Sequence, residues 1–318
     1  MSNVPTDSSS SPLIIVPSAV TNANTQPQRS NMNPKDNFIV TGGCGFIGGH
    51  FVEALRQFDD VGEIIVVDDL RTPGNHRVDG VTYIEKSIQK CYLDLVNNDI
   101  DHIIHLGNTP RVRRALEFPG EAIENNVTST VAVCELGLAT GAQVYFAQSS
   151  SIRYLEDTSS NAYTLSKVMA DMTLDLYMDQ YGLLVTKMFY YNVYGPREAD
   201  YGPYSTVIRR FKQKIEMGEP LEIFGTGYKT RDFTHVDDVV QNMLTMLSEV
   251  GFVEEVHLGR GRPYSIQEIA DAFDHHAVYK FDLPGEALDT LCEEPYGFYD
   301  NDVMEYITKW VQESKIVH

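Results

Sequence analysis

A short strand that runs into a glycine-rich turn and then a helix constrains this chain most. The apolar run 38–40 predicts a buried strand, Gly42, Gly45 and Gly48 follow it, and apolar residues from Phe51 onward predict a helix. Glycines at this spacing allow a tight turn, let a pyrophosphate approach the backbone and let the helix pack closely on the sheet. Amides at the helix N-terminus attract phosphates. The pattern predicts a dinucleotide-binding site; the alternative is a tight turn without a ligand.

An acid follows the second strand at the position that such a site requires. The run 63–67 predicts a buried strand that ends in Asp68, which lies 20 residues after Gly48. A carboxylate there accepts hydrogen bonds from the hydroxyls of the adenosine ribose and repels a 2′-phosphate. We therefore expect the cofactor to be NAD and not NADP.

Strands and helices continue to alternate along the chain. Further strands are predicted at 81–84, 102–106, 143–148 and 183–189, and helices at 89–98, 120–140 and 161–181. This alternation predicts an α/β fold with a doubly wound parallel sheet of the Rossmann type. Ligands bind such sheets outside the carboxyl ends of the strands. Asp68, Gly107, the serines from Ser149 to Ser151, and Asn192 all follow predicted strands, so we expect them to meet at one crevice.

Composition divides the chain into three parts. Residues 1–36 are rich in Ser, Asn, Gln, Thr and Pro and predict a disordered tail. Residues 37–189 form the predicted NAD-binding domain, and 190–318, richer in Tyr, Gly and Pro, a smaller α/β substrate-binding domain. Within the second domain, 233–258 is expected to return to the main sheet through a helix at 236–249 and a strand at 253–257. A last helix is expected at about 302–312.

Tyr163 and Lys167 are four residues apart on a predicted helix, so they share one face. A lysine ammonium beside a tyrosine favours the phenolate and lowers the tyrosine pKa. The serines that end the preceding strand could share a hydrogen bond to a substrate hydroxyl. The alternative for this pair is a solvated helix face. Further along, Arg231 beside a glycine-rich turn predicts a clamp for a second diphosphate, with a surface ion pair to Asp232 as its alternative.

Charge and cysteine usage exclude several classes of partner. Lys and Arg total 25 against 45 Asp and Glu, a net charge of −20, which disfavours nucleic acid and anionic membranes as partners. No apolar run reaches the length of a membrane helix. The four cysteines are scattered and the histidines lack ligand spacing, so we expect no metal site, no disulfide framework, and a reducing, cytoplasmic location.

Taken together, these motifs resemble the extended short-chain dehydrogenase/reductase family, in particular its nucleotide-sugar epimerase/dehydratase branch. The matching segments run in order over about residues 38–292 and comprise 41–48, 67–70, 105–107, 126–130, 149–151, 163–167, 191–197, 231–238 and 284–286. The resemblance implies Tyr163 as catalytic acid/base, Lys167 on the nicotinamide ribose, Ser151 on the reacting hydroxyl, Asn192 on the substrate and Arg231 on its diphosphate. The implied NAD contacts are Gly42, Gly45, Phe46, Ile47, Gly48, Asp68, Leu106, Gly107, Ser149, Tyr163 and Lys167. The resemblance also implies a homodimer through the helices near 120–140 and 161–181.

Within this family, the residues after Ser151 favour epimerisation. Dehydratases of the family place an Asp-Glu pair there, and related decarboxylases a Glu, whereas this chain has Ile152 and Arg153. The resemblance thus implies epimerisation of a nucleotide-diphosphate sugar, most directly at carbon 4 of a UDP-hexose, through a 4-keto intermediate. The alternatives are an epimerase/reductase of the kind that makes GDP-fucose, a dehydratase, and a catalytically reduced member that only binds NAD.

The chain departs from the family pattern at four places. The connection from Ser151 to Tyr163 is about half the usual length, Ser87 replaces an acid expected near the adenine, and Leu283 stands where an arginine often contacts the diphosphate. The end of the chain beyond Cys292 is acidic and rich in tyrosine. A small residue at Thr290 suggests room for N-acetylhexosamines.

Overall fold

The computed structural model describes residues 35–59, 61–72, 74–110, 112–154, 161–199, 202, 205–249, 252–282 and 289–316. Of the predicted tail at 1–36, only residues 35 and 36 fall within these ranges. Leu283, the segment 284–286 and the middle of the connection before Tyr163 also lie outside the described residues.

Short strands alternate with helices over most of the chain. The strands are β1 (Phe38–Thr41), β2 (Ile64–Val67), β3 (Thr82–Ile84), β4 (His102–His105), β5 (Gln143–Ser149), β6 (Val185–Tyr190), β7 (Val193–Tyr194), β8 (Leu221–Phe224), β9 (Thr230–Asp232), β10 (Thr234–His235), β11 (Glu255–Leu258), β12 (Pro263–Ser265) and β13 (Ala277–Lys280). The helices are α1 (Phe46–Leu55), α2 (Tyr92–Leu95), α3 (Val112–Glu117), α4 (Pro119–Thr140), α5 (Ser151–Tyr154), α6 (Ala162–Tyr181), α7 (Val207–Glu216), α8 (Val236–Glu249), α9 (Ile266–Ala272) and α10 (Val303–Ile316).

Seven strands form one parallel sheet in the order β11-β6-β5-β4-β1-β2-β3. The chain moves outward in one direction from β1 through β2 to β3 and then in the other direction from β4 through β5 and β6. The predicted doubly wound parallel fold is therefore confirmed. Its direction changes between β1 and β4, and a crevice opens there outside the carboxyl ends of the strands.

Both faces of this sheet are covered, which explains why its strands are apolar on both sides. One core cluster lies between the sheet and α1 and α8, and the other between the sheet and α4 and α6. A third cluster joins α7, α9, α10 and β8 beyond the main sheet. The remaining strands form three separate pairs: β10 with β7, β12 with β9, and β13 with β8. None of the helices in the described ranges has the length and hydropathy needed to cross a bilayer.

The helix predicted at 89–98 is wrong in its extent. The structure has a 3-10 turn at Ile88–Lys90 and then the four-residue α2. Cys91 separates them because its backbone leaves the helical region, at φ −136° and ψ −3°. The 3-10 turn and α2 therefore pack against α4 as two short segments and not as one continuous helix.

The apolar residues that predict α6 do not form its buried face. Met169, Met172 and Leu176 are exposed, whereas Ala170 and Leu174 are buried. Small and polar side chains allow α6 to approach α4 closely, and the larger apolar side chains lie outside. The helix is present as predicted, but its apolar pattern marks an outer face.

Candidate active site

The glycine turn after β1 is packed against the loop that follows β4. Gly42 has φ +71°, a conformation that favours glycine, and a Cβ built on it would lie 2.8 Å from the carbonyl of Leu106. A Cβ on Gly48 would lie 2.2 Å from the Gly42 carbonyl oxygen. The turn and the first residues of α1 are therefore close enough that only glycine fits, and the backbone is bare where a phosphate can approach it.

Asp68 at the end of β2 is fixed beside this turn. Its carboxylate accepts hydrogen bonds from the backbone N–H of Cys44 at 3.0 Å and of Leu70 at 2.9 Å. Burial raises the pKa of this carboxyl, and the two N–H donors oppose the rise by stabilising the charged form. The geometry suits an acceptor of ribose hydroxyls.

Tyr163 and Lys167 lie in the first two turns of α6. The helix begins after Asn161, whose side chain accepts a hydrogen bond from the Thr164 backbone N–H at 2.8 Å. The Lys167 side chain is buried, and its Nζ donates to Asn108 Oδ1 at 2.5 Å and to the Ala147 carbonyl at 2.6 Å. Burial lowers the pKa of this ammonium from 10.5 to about 7.

Two serines at the end of β5 are joined to each other and to the tyrosine helix. The Oγ atoms of Ser149 and Ser151 are 2.9 Å apart, and the Ser151 backbone N–H donates to Ser149 Oγ at 3.2 Å. Thr164 Oγ1 donates to Ser151 Oγ at 3.4 Å. These hydrogen bonds position the hydroxyl of Ser151 at the start of α5, and they can rearrange when the hydroxyl binds a ligand.

The substrate side of the cleft contains Asn192 and Arg231. Asn192 follows β6 with φ +27°, and its Nδ2 donates to the Asp232 carbonyl and to Thr290 Oγ1, both at 3.1 Å. Its side-chain orientation is therefore determined. Arg231 donates from one guanidinium nitrogen to the Thr230 carbonyl at 2.8 Å. The carboxylate of Asp232 is fully buried and accepts backbone N–H groups from a distant loop, including that of Gly261 at 2.8 Å.

The predicted site residues line one cleft of about 470 Å³. Every residue that the sequence marks as a candidate is part of its wall: Gly42, Gly45, Phe46, Ile47, Gly48, Asp68, Leu106, Gly107, Ser149, Ser151, Tyr163, Lys167, Asn192 and Arg231. Ser87 is not part of the wall. Instead it is buried in the connection after β3, where its carbonyl accepts hydrogen bonds from the Lys90 backbone N–H and the Cys91 thiol.

The wall contains many residues besides these candidates, and three of them bear on the site. Asn108 follows Gly107 directly after a predicted strand, which is the position where ligand-binding residues are expected. Arg113 and Phe224 come from α3 and β8, and the Arg113 guanidinium lies 4.7 Å from the centre of the Phe224 ring. No sequence signal connects these two residues, since they are more than 100 positions apart and meet only across the cleft.

The comparisons with known proteins agree with this geometry. The family described as NAD dependent epimerase/dehydratase matches residues 38–259. The chain belongs to this family. Its resemblance to the epimerase/dehydratase branch is thereby confirmed, as are an enzymatic function and NAD as the cofactor.

Three proteins that are similar to this chain illustrate the activities found in the family. A UDP-N-acetyl-alpha-D-glucosaminuronate decarboxylase of Bacillus cytotoxicus is 31% identical over 74% of this chain and 78% of its own length. A putative UDP-glucose 4-epimerase of Methanocaldococcus jannaschii is 29% identical over 79% and 84%. The crystal structure of UDP-glucose 4-epimerase from Thermotoga maritima, with UDP-glucose, has a TM-score of 0.77 at 25% identity and covers 89% of this chain and all of that one.

The residues present fit NAD. The glycine turn packs so closely on the start of α1 that a Cβ at Gly48 would meet the Gly42 carbonyl oxygen at 2.2 Å, and Asp68 lines the same cleft. We therefore expect Gly48→Ala to weaken NADH binding by about tenfold or more, because α1 must move away from the turn. NADH fluorescence titration measures this loss. Gly120→Ala is the matched control, since a Cβ there meets nothing within 4 Å. Equal affinities in the two variants would contradict the close contact.

The buried Lys167 generates a prediction about pH and stability. Its folded pKa of about 7 lies below the usual 10.5, so between these values the unfolded chain carries a proton that the folded protein has released. The stability of the wild type therefore rises with pH in this window relative to a variant without the group. We therefore expect the difference in free energy of unfolding, Lys167→Met minus wild type, to decrease as the pH rises from 7 to 10. Urea denaturation without added cofactor, with the half-exposed Lys280→Met as control, measures it. A constant difference would contradict the assignment.

Proposed function

We propose that this enzyme epimerises a nucleotide-diphosphate sugar, most directly at carbon 4 of a UDP-hexose, through a transient 4-keto sugar. The observation that carries the proposal is that Ser151, Tyr163 and Lys167 share one cleft with the glycine turn and Asp68. Two of the similar proteins named above are UDP-glucose 4-epimerases, one of them putative, which supports the same substrate class.

NAD, held by the glycine turn and Asp68, would supply a hydride acceptor that is regenerated in each cycle, so that no cofactor would be consumed. Tyr163 removes the proton from the 4-hydroxyl oxygen and later returns it. Lys167 favours the phenolate when it is charged, and hydrogen-bonds the nicotinamide ribose. The hydroxyl of Ser151 hydrogen-bonds the reacting oxygen. Asn192 contacts the sugar with its oriented amide, and Arg231 binds the diphosphate as a charge-assisted donor.

The surroundings of Ser151 support epimerisation over elimination. Ile152, Arg153 and Tyr154 follow it, and none of them lines the cleft. Arg153 pairs with Glu255 and lies 4.3 Å from the centre of a phenylalanine ring, while the Tyr154 hydroxyl donates to a backbone carbonyl. The three residues that follow Ser151 therefore bring no carboxylate into the cleft to assist loss of water.

The acids that do line the cleft have other partners. Asp68 accepts backbone N–H groups, and Asp69 pairs with Arg71 at 2.8 Å. Glu198 accepts from the Gly195 N–H at 3.0 Å and from a threonine hydroxyl, and Glu222 lies within 3.9 Å of two lysines. Tyr163 thus remains the acid/base that the proposal uses.

We expect the purified protein to convert UDP-glucose to UDP-galactose without a consumed co-substrate. Tyr163→Phe should lower the rate by about 100-fold or more, because general acid–base catalysis contributes that much. Separation of the two UDP-sugars by anion-exchange chromatography measures the conversion. Tyr181→Phe, at an exposed position on the same helix, should keep the wild-type rate.

A wider substrate panel decides between the proposal and its alternatives. UDP-N-acetylglucosamine tests the room beside Thr290, and GDP- and dTDP-sugars test the other bases. Appearance of a 4-keto-6-deoxy sugar would indicate a dehydratase instead. Tight NAD binding without turnover of any of these sugars would contradict an active epimerase.

We also propose that the enzyme is a homodimer through α4 and α6 and acts in the cytoplasm. These two helices pack side by side, and their outer faces carry exposed apolar side chains, among them Val131, Met169, Met172 and Leu176. Exposed apolar side chains gathered on neighbouring helices are typical of an interface. The four cysteines are free and buried, which supports a reducing compartment.

Charged substitutions on the outer face of α6 test the proposed dimer interface. Replacing both Met172 and Leu176 by Glu should yield a monomer, because two charges would have to be buried in the interface. Size-exclusion chromatography with light scattering measures the mass. Met217→Glu, equally exposed but on the end of α7, is the control and should leave the mass unchanged. A double variant with the wild-type mass would place the interface elsewhere.

A further inference from the structure

Lys167 is held by neutral oxygens instead of a carboxylate. Within the described residues its Nζ makes no ion pair, and its hydrogen-bond acceptors are Asn108 Oδ1 at 2.5 Å and the Ala147 carbonyl at 2.6 Å. An ammonium has three N–H donors. Two are therefore used inside the protein. The third has the Phe146 ring as a neighbour, with its centre 4.9 Å from Nζ, and it is available to a ligand because Lys167 also lines the cleft.

Asn108 can present only its oxygen to Lys167. Its Nδ2 donates to His105 Nε2 at 2.8 Å and to Ser129 Oγ at 3.0 Å, which uses both amide hydrogens. A flipped amide would place its NH₂ group against the ammonium and its oxygen against the lone pair of the imidazole. The orientation of the Asn108 side chain is therefore determined by two buried partners on the side away from the cleft.

His105 determines that orientation because it stays neutral. Burial, and then the charge of Lys167, lower the pKa of the His105 imidazole to about 3. Because Nε2 faces the Asn108 amide nitrogen at 2.8 Å and accepts from it, the neutral ring holds its hydrogen on Nδ1, which lies 2.7 Å from Thr41 Oγ1. Thr41 Oγ1 also accepts the Gly107 backbone N–H at 3.1 Å. A continuous chain of hydrogen bonds thus runs from the end of β1, beside the glycine turn, to Lys167.

We propose that Asn108 is a positioning residue for Lys167, held in one orientation by neutral His105 and by Ser129. Its side-chain oxygen keeps the ammonium at the wall of the cleft and favours its charged form, so that the third N–H reaches the bound cofactor. The catalytic role of Lys167 rests on the proposed function. The positioning itself is a property of the protein that can be measured without turnover.

Two substitutions at Asn108 separate positioning from a merely structural role. Asn108→Ala removes an acceptor, so the pKa of Lys167 should fall and NADH affinity should weaken by about tenfold. Asn108→Asp keeps the oxygen that faces Lys167 and adds a negative charge, and its second oxygen then requires His105 to carry its hydrogen on Nε2 and to donate. The pKa of Lys167 should therefore rise, and NADH affinity should return toward the wild-type value. Carbon NMR of lysine labelled at Cε, with the Lys167 signal assigned by its loss in Lys167→Met, measures the titration in cofactor-free protein, and NADH fluorescence measures affinity.

Asn242→Ala is the matched control. Asn242 is more buried than Asn108 and lies outside the cleft wall, and its side chain hydrogen-bonds the backbone of Phe298 with both its oxygen and its nitrogen. This variant should lose stability but keep the wild-type titration of Lys167 and NADH affinity. Titration shifts of the same sign in both Asn108 variants, or wild-type NADH affinity in Asn108→Ala, would overturn the proposal. A wild type that epimerises no sugar would overturn the proposed function alone, because neither readout at Asn108 depends on turnover.

Discussion

The close contact between the glycine turn and the loop after β4 is the constraint on which the site depends. Gly42 lies against the carbonyl of Leu106, and Gly48 lies against the carbonyl of Gly42, at distances that exclude any larger residue. The contact occurs where the sheet changes direction, between β1 and β4. It brings the cofactor cradle next to Gly107 and Asn108, and these in turn meet the lysine of α6. A larger side chain in this contact would separate the two halves of the site.

Local charges in the cleft differ from those of the whole molecule. The protein carries a net charge of −20, yet the ligands of its family are anions. In the binding mode that we propose, backbone amides at the glycine turn, Lys167 and Arg231 provide the positive potential. The acids of the cleft wall are paired with arginine, lysine or backbone donors. Because screening in water limits the reach of distant surface charges to about 8 to 10 Å, these near groups decide what binds.

Helix α6 serves two purposes with two faces. Its inner face uses Ala170, Leu174 and small polar residues to approach α4, and it carries Lys167 into the interior. Its outer face carries methionine and leucine. A residue pattern that normally marks a core-facing stripe therefore marks the surface that we propose for dimerisation, since the close packing of two helices needs small side chains.

The sequence by itself determined the parallel doubly wound fold, the glycine turn, Asp68 and the tyrosine–lysine pair. These depend on short-range patterns: strand–turn–helix order, a fixed spacing after the last glycine, and four residues along a helix. Only the tertiary structure decided that Asn108 holds Lys167, that His105 stays neutral beneath it, and that Arg113 meets Phe224 across the cleft. The physical reason is that burial and hydrogen-bond direction arise between segments distant in the chain, where local periodicity carries no information about which atoms meet.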